Sequence, residues 1–415
     1  MEALFYQNNR QEFYKSLPEA SVFVLCSGGQ VQRTADDYFR FFANRNFVYM
    51  TGIDEPDCIL VACKVHGDVR ETLFIRKPDP TVEIWSGRRI TDEEAVDKSG
   101  ISNIAYSGDF QKAFSRMAHN CYFSELHLVL ESNEGEELTD QNHLFYRTAR
   151  EKYPHLTVKN AFPKIAFQRT HKASQEIANI KKALAITREG IVRMMKAAGT
   201  AAGEMDLFAE FFYTIHKHGA VEAAFKPIVS CGKNNFYLHY DTPSGVLSDG
   251  ELCLTDVGAM VDFCCVDISR VFPRNGRFSE LQKKVYQVSL EANDYTTNFI
   301  KPGMPFSKID EIYRRQAFEG LKSIGLLEDV KDLGKYVWHG CTHHIGFDVH
   351  DAGTYDLPIE ENMVFTMDTG IYIREWNIGM RIEDNVLVTS NGLELLSGGI
   401  PRTIDEIEAV MNQEG

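Results

Sequence analysis

The chain has 415 residues, 44% hydrophobic and 25% charged, the mix of an ordinary globular protein and not of a disordered chain, a collagen or a small disulfide scaffold. At about 150 residues per domain there is room for roughly two or three domains. Acidic side chains outnumber basic ones, 59 to 44, for a formal charge of −15, which disfavours nucleic acid and anionic membranes as partners. The excess is compatible with carboxylates gathered to hold cations, although solvated surface accounts for most of such an imbalance.

The opening Met-Glu-Ala-Leu-Phe-Tyr-Gln has no basic region and turns polar at once, so no secretory signal is expected. Apolar runs such as 20–26 and 58–63 are far shorter than the roughly 20 residues a membrane span needs. Nine cysteines, an odd number without paired spacing, read as buried reduced thiols of a cytoplasmic protein. Apolar, β-branched runs at 22–26, 58–63, 72–76 and 126–130 predict buried strands. Thr91-Asp-Glu-Glu94 is a capping box opening a helix that ends near Lys98. Further helices are expected at 109–118 and 139–152. Strands interleaved with helices argue for an α/β domain over 1–165.

The character changes near 160–175. Ser174 starts a long amphipathic helix with Ile177, Ile180, Leu184, Ile191 and Met194 on one stripe. A second helix, 205–218, ends in His216-Lys-His-Gly219, where cations in the last turn precede a glycine. Strand-like stretches follow to residue 275. A helix from Ser279 must stop before Pro302-Gly303, another covers 307–324, and strands run to 389. Helix, helix, strands, twice over, suggests a duplicated unit of about 105 residues in an α+β domain over 166–415, although no residue-level repeat accompanies it.

Five acidic or imidazole side chains in this second domain stand in distinctive settings. Asp256 lies in Leu252-Cys-Leu-Thr-Asp-Val-Gly258, and Asp267 in Cys265-Val-Asp-Ile-Ser-Arg270. His343 lies in the run from His339 to Asp351, Asp368 in Met363-Val-Phe-Thr-Met-Asp-Thr-Gly370, and Glu383 in Gly379-Met-Arg-Ile-Glu-Asp384. A carboxylate beside apolar strand residues is costly to bury unless a cation compensates it. A shared metal site removes that cost for all four. A single strand Asp stands more often at an edge or in a turn, and a single His is more often structural; composition does not choose between these readings, and the ordered set with its flanks does.

With those flanks the chain resembles the M24 metallopeptidases of pita-bread fold, and within them the aminopeptidase P and prolidase-like enzymes. The pattern Asp-x-Gly followed by Asp-x-x-Arg matches Asp256-Val-Gly258 and Asp267-Ile-Ser-Arg270. His-Gly-x-x-His-x-(Ile/Leu)-Gly-x-x-Val-His-(Asp/Glu) matches His339 through Asp351. The pattern (Val/Ile)-Arg-Ile-Glu-Asp matches Met380-Arg-Ile-Glu-Asp384 at all but its first position. Phe47-Val-Tyr-Met-Thr-Gly-Ile-Asp-Glu-Pro56 and Glu83-Ile-Trp-Ser-Gly-Arg-Arg89 resemble the creatinase/aminopeptidase P N-terminal domain.

The resemblance implies a creatinase-like α/β N-terminal domain before a pita-bread catalytic domain. It implies two divalent metal ions, most often Mn²⁺, as the oxygen-rich donor set favours. Asp256 would bind one ion with both oxygens, Asp267 and Glu383 would bridge, and His343 and Asp368 would complete the other. Two such ions about 3.5 Å apart turn a bridging water into hydroxide and polarise the scissile carbonyl, so no Ser or Cys nucleophile is needed. His350 resembles the imidazole that bonds the substrate or the developing oxyanion, and His239 the family's other active-site His. His339 resembles a substrate-pocket His, and Arg381 would steady the carboxylates. One departure is Asp368-Thr-Gly370 where the family has Glu-Pro-Gly, which shortens a ligand by one methylene.

The implied activity is release of an N-terminal residue that precedes proline, a bond general peptidases handle poorly because proline lacks an N–H and fixes φ. Trp85-Ser-Gly-Arg88 favours aminopeptidase P over a prolidase restricted to dipeptides. The resemblance also implies a homodimer or homotetramer in which Trp85 borders a neighbour's substrate site. A non-catalytic peptide-binding relative is the competing reading from another class, with Asp368 its best support; a metal-free creatinase-like hydrolase fits less well, because those enzymes lack the carboxylate set.

Overall fold

The computed structural model describes residues 1–120, 123–132 and 140–413. It divides into two compact units, Met1–Gln168 and Arg169–Gly415.

The first unit is built on a six-stranded mixed sheet in the order Ile104–Tyr106, Asp68–Ile75, Ile59–Val65, Ser21–Cys26, Glu125–Leu128, Thr157–Asn160. Ser21–Cys26 runs antiparallel to Ile59–Val65 and parallel to Glu125–Leu128. Every residue of this central strand is buried, as expected of a strand covered on both faces and read as a continuous apolar run. Phe110, Phe114, Phe145 and Tyr153 cover one face, with edge-on and tilted ring pairs 5.1–5.8 Å apart. The helix Asp92–Ser99 starts at the Thr91/Glu94 capping box and stops at Gly100, whose φ is 72°. The helix expected from Thr139 appears as Gln141–Lys152, capped by Asp140; Thr139 itself lies outside the described residues. The helices Ala3–Lys15, Arg45–Thr51, Pro80–Ser86 and Phe162–Thr170 carry no expectation from the sequence.

In the second unit the helix-helix-sheet order recurs. Ser174–Ala197 packs on Glu204–Lys217 ahead of the sheet Ile228–Cys231, Leu252–Val257, Ile268–Pro273. Glu280–Phe299 packs on Lys308–Ser323 ahead of the sheet Val364–Ile373, Ile378–Thr389, Gly392–Leu395. Ile180, Leu184, Ile191 and Met194 of the predicted stripe are buried. Ser279 caps the third helix in a box with Gln282. Buried Asn293 pins that helix to the second sheet, its Nδ2 lying 3.0 Å from Met367 O and Thr369 Oγ1 and 3.2 Å from Ile382 O. No helix among the described residues is long and apolar enough to cross a membrane. The eight described cysteines are all free thiols, seven of them buried.

Candidate metal centre

Leu252–Val257 and Ile268–Pro273 form an antiparallel pair with Asp256 opposite Ser269, and Asp267 immediately precedes the second strand. The return between them is tight: a Cβ on Gly258 would lie 1.7 Å from the carbonyl oxygen of Val266. This close approach is the physical content of the Asp-x-Gly pattern. In the other hairpin Asp368 faces Glu383 and Gly370 faces Arg381. Side chains stitch the two sheets together. Asn385 Oδ1 accepts from the Asp267 N–H at 3.2 Å and its Nδ2 donates to the Asp267 carbonyl at 2.8 Å. Arg270 donates to the Glu383 carbonyl at 2.8 Å and to Asp384 at 2.7 Å. His343 lies in a segment laid along Val364–Ile373, where the Thr366 N–H donates to His343 O at 2.9 Å and the Asp368 N–H to Cys341 O at 2.7 Å.

The result is a knot of buried acids around one imidazole. Asp267, His343 and Glu383 each offer one donor atom, all within 4.8 Å of one another. His343 Nε2 is 3.4 Å from Glu383 Oε1 and 3.7 Å from Asp267 Oδ2. Asp368 Oδ2 is 3.4 Å from His339 Nδ1, and Asp256 joins through Arg381, whose Nη2 donates to Asp256 Oδ2 at 2.5 Å. Arg381 Nε also donates to Ser269 Oγ at 2.7 Å, and that hydroxyl donates to Glu383 Oε2 at 3.1 Å. Burial, then the neighbouring carboxylates, push the Asp267 and Glu383 carboxyls well above the ordinary range. Burial acts the same way on Asp256, but the Arg381 guanidinium outweighs it and holds that carboxyl below its usual value. Burial lowers the His343 imidazole, favouring the form with a lone pair to give.

The donor set fits divalent cations. Asp256 Oδ1, Asp267 Oδ1, Asp368 Oδ1 and Glu383 Oε1 are buried without a hydrogen-bond partner. Such oxygens are a cost that a bound cation removes; Asp267 and Glu383 share the compact set with His343, and Asp256 and Asp368 stand outside it. One Asp256 oxygen already faces Arg381, so only the other is free of partners.

The remaining sequence candidates of the second unit lie near this knot to different degrees. The His350 and His343 ring centroids are 4.3 Å apart. Partial desolvation, and then the charges His343 and His239 would carry, push the His350 imidazole down, so all three rings share one neighbourhood. His239 stands exposed on the segment 237–240. His339 Nε2 is 3.0 Å from the Tyr372 hydroxyl. Trp85 belongs to the first unit, on Pro80–Ser86, and is 88% exposed. His344 is a core residue: buried between Phe306 and Tyr355, with neither ring nitrogen hydrogen-bonded, it is pushed down to about 4. Ser269, Tyr372 and Asn385 were not anticipated. Ser269 and Asn385 sit inside or beside recognised patterns, where their polar side chains in apolar strands were a usable signal; Tyr372 carried none.

Two family models match the chain: metallopeptidase family M24 over residues 178–390, and the aminopeptidase P N-terminal domain over residues 6–124. The Xaa-Pro aminopeptidase of Escherichia coli is 29% identical over 434 residues, covering 98% of this chain and 97% of the relative. Human Xaa-Pro aminopeptidase 3 is 28% identical, covering 94% of this chain and 80% of the relative. Among solved structures, one from Bacillus anthracis, assigned provisionally as an aminopeptidase P, superposes with a TM-score of 0.95 at 40% identity, over 99% of this chain and 98% of that one. Zinc-substituted Escherichia coli aminopeptidase P, in complex with product, gives a TM-score of 0.91 at 27% identity with the same coverage.

Proposed function

The chain belongs to metallopeptidase family M24, and from that premise we propose that it is a metal-dependent Xaa-Pro aminopeptidase, hydrolysing the bond between an N-terminal residue and a following proline. The observation that carries the reading is the set of four carboxylates, three buried and Asp368 half-buried, each with a buried oxygen lacking a partner, two of the carboxylates lying within 4 Å of His343. Full-length similarity to Xaa-Pro aminopeptidases supports the substrate class.

In this reading Asp256, Asp267, His343, Asp368 and Glu383 would hold two divalent ions. Carboxylate oxygens with a single imidazole favour Mn²⁺. Bound there, such ions would supply Lewis acidity at the scissile carbonyl. Arg381 holds Asp256 and, through Ser269, Glu383, so the ligands are aimed before the substrate arrives. His350 and His239 hydrogen-bond the substrate carbonyl or the charge that develops on it, and His339 with Tyr372 lines the pocket. Residues 166–415 form the catalytic domain and 1–165 the N-terminal domain of a homodimer or homotetramer. The exposure of Trp85 suits contact with a neighbouring subunit's substrate, and the free thiols suit a cytoplasmic protein.

The test is release of the first residue from Xaa-Pro-Xaa and Xaa-Pro peptides by native protein and by Asp368→Glu, with and without chelator. Chelator-sensitive cleavage of tripeptides is expected. Cleavage of dipeptides alone would point to a prolidase, metal-independent cleavage would overturn the mechanism, and binding without cleavage by either form would overturn the enzyme.

A further inference from the structure

Glu204 opens the helix Glu204–Lys217, yet its side chain is wholly buried. Five donors from a single segment converge on it. Oε1 accepts from the Cys231 N–H and from Asn234 Nδ2, each at 2.8 Å. Oε2 accepts from the Tyr240 hydroxyl at 2.9 Å, the Ser244 N–H at 3.0 Å and the Gly245 N–H at 2.6 Å. The Glu204 N–H returns a bond to Gly245 O at 3.0 Å. The fit is close: a Cβ on Gly245 would lie 2.6 Å from Glu204 Oε1.

All five donors lie between 231 and 245, and His239 stands in the middle of that stretch. The same stretch touches the metal-binding cluster, since Leu238 O accepts from Arg381 Nη1 at 3.5 Å. A buried carboxylate that accepts this many bonds makes each of them charge-assisted, hence short and strong. An irregular segment anchored at 231, 234, 240, 244 and 245 has little freedom left at 239. An active-site side chain needs that restraint, because about 1 Å of misplacement costs on the order of a hundredfold in rate.

We propose that Glu204 is a positioning residue that holds the His239 segment in its working geometry, acting through His239 and not on the substrate. The inference rests on the reading of His239 as a substrate-binding residue. The test is a double-mutant cycle on the metal-loaded full-length protein with Ala-Pro-Ala as substrate. Glu204→Gln replaces an acceptor by an N–H₂ that faces donors, and is expected to lower kcat/KM about 10- to 100-fold. In a His239→Ala background the same change is expected to cost less than about twofold, because coupled sites are not additive. Equal losses in both backgrounds, no loss in either, or a loss while His239→Ala alone is fully active would overturn the proposal.

Amide hydrogen exchange gives a readout independent of turnover. Exchange over 231–245 should accelerate in Glu204→Gln while Ile378–Thr389 stays protected. Unchanged exchange over 231–245 overturns the anchoring whatever the activity. A wild type that cleaves no Xaa-Pro peptide would sink the peptidase reading, and exchange would still decide the anchoring. Should Glu204→Gln fail to fold, Tyr240→Phe removes one of the five donors and is expected to lower kcat/KM by less than about tenfold; a loss that persists undiminished in the His239→Ala background overturns the proposal.

Discussion

Arg381 spans two anchors with one planar group, Nη2 on Asp256 and Nε on Ser269. Lysine offers a single point charge and cannot reproduce that fork. Arg381→Lys is therefore expected to weaken metal affinity about 10- to 100-fold, read by metal titration of the apo protein. His350→Ala should leave metal content intact and lower kcat about 10²- to 10⁴-fold, which steady-state kinetics with parallel metal analysis would check. The raised Asp267 and Glu383 carboxyls make a further prediction. A carboxyl raised in the folded state holds protons above the pH at which the unfolded chain has lost them, so the metal-free fold loses stability as pH rises through that window. Metal loading within that window must then expel protons, measurable as acidification of a weakly buffered solution. The five proposed ligands were legible because each stands in a pattern of neighbours along the chain. Ser269 and Asn385 were not read, because what they do depends on partners 114 and 118 residues away.

Local chemistry made some elements legible and tertiary context hid others. The helices after Thr91 and Ser279 begin where their capping boxes predict, because a cap is satisfied within four residues. Ala3–Lys15 escaped notice because its N-cap makes no side-chain bond and its buried face includes Arg10. That guanidinium is satisfied by Glu71, far along the chain, so the apolar stripe reads as broken. The strands Ser21–Cys26 and Ile59–Val65 were visible as apolar runs, but their mixed pairing follows from no local pattern. Two substitutions test what the elements do. Gly258→Ala would drive a methyl into the Val266 carbonyl and spread the return between Asp256 and Asp267; loss of metal binding with lowered thermal stability is expected. Asn293→Ala unpins Glu280–Phe299 from the second sheet and should cost about 1–3 kcal/mol, read from denaturant midpoints.

For the molecule as a whole, stability is tied to both metal and acid. Any ion that binds only the folded chain stabilises it, by about 2.7 kcal/mol at a hundredfold excess over its Kd; chelator should therefore lower Tm, and added Mn²⁺ restore it. Asp351, buried against Arg169 and Lys172, and Asp384, buried against Arg270 and Arg402, are each held at about 2 against an ordinary 3.8, since those cations outweigh the burial that would raise them. Being lower when folded, each stabilises the native state above 3.8 and stops doing so as pH falls to about 2. The loss is on the order of 2 kcal/mol for each group, and acid titration of the unfolding midpoint measures it. The recurrence of helix, helix and sheet leaves Asp256 on one sheet with Asp267 just before its next strand, and Asp368 and Glu383 on the other sheet. A ribosome making this chain in order releases the first acidic pair long before the second exists, and Arg381, the partner of Asp256, also follows later. On the proposed ligand set, ion capture is postponed until Ile378–Thr389 has closed, and a nascent chain stalled before that strand would emerge as an unmetallated, acid-lined fragment for quality control to find.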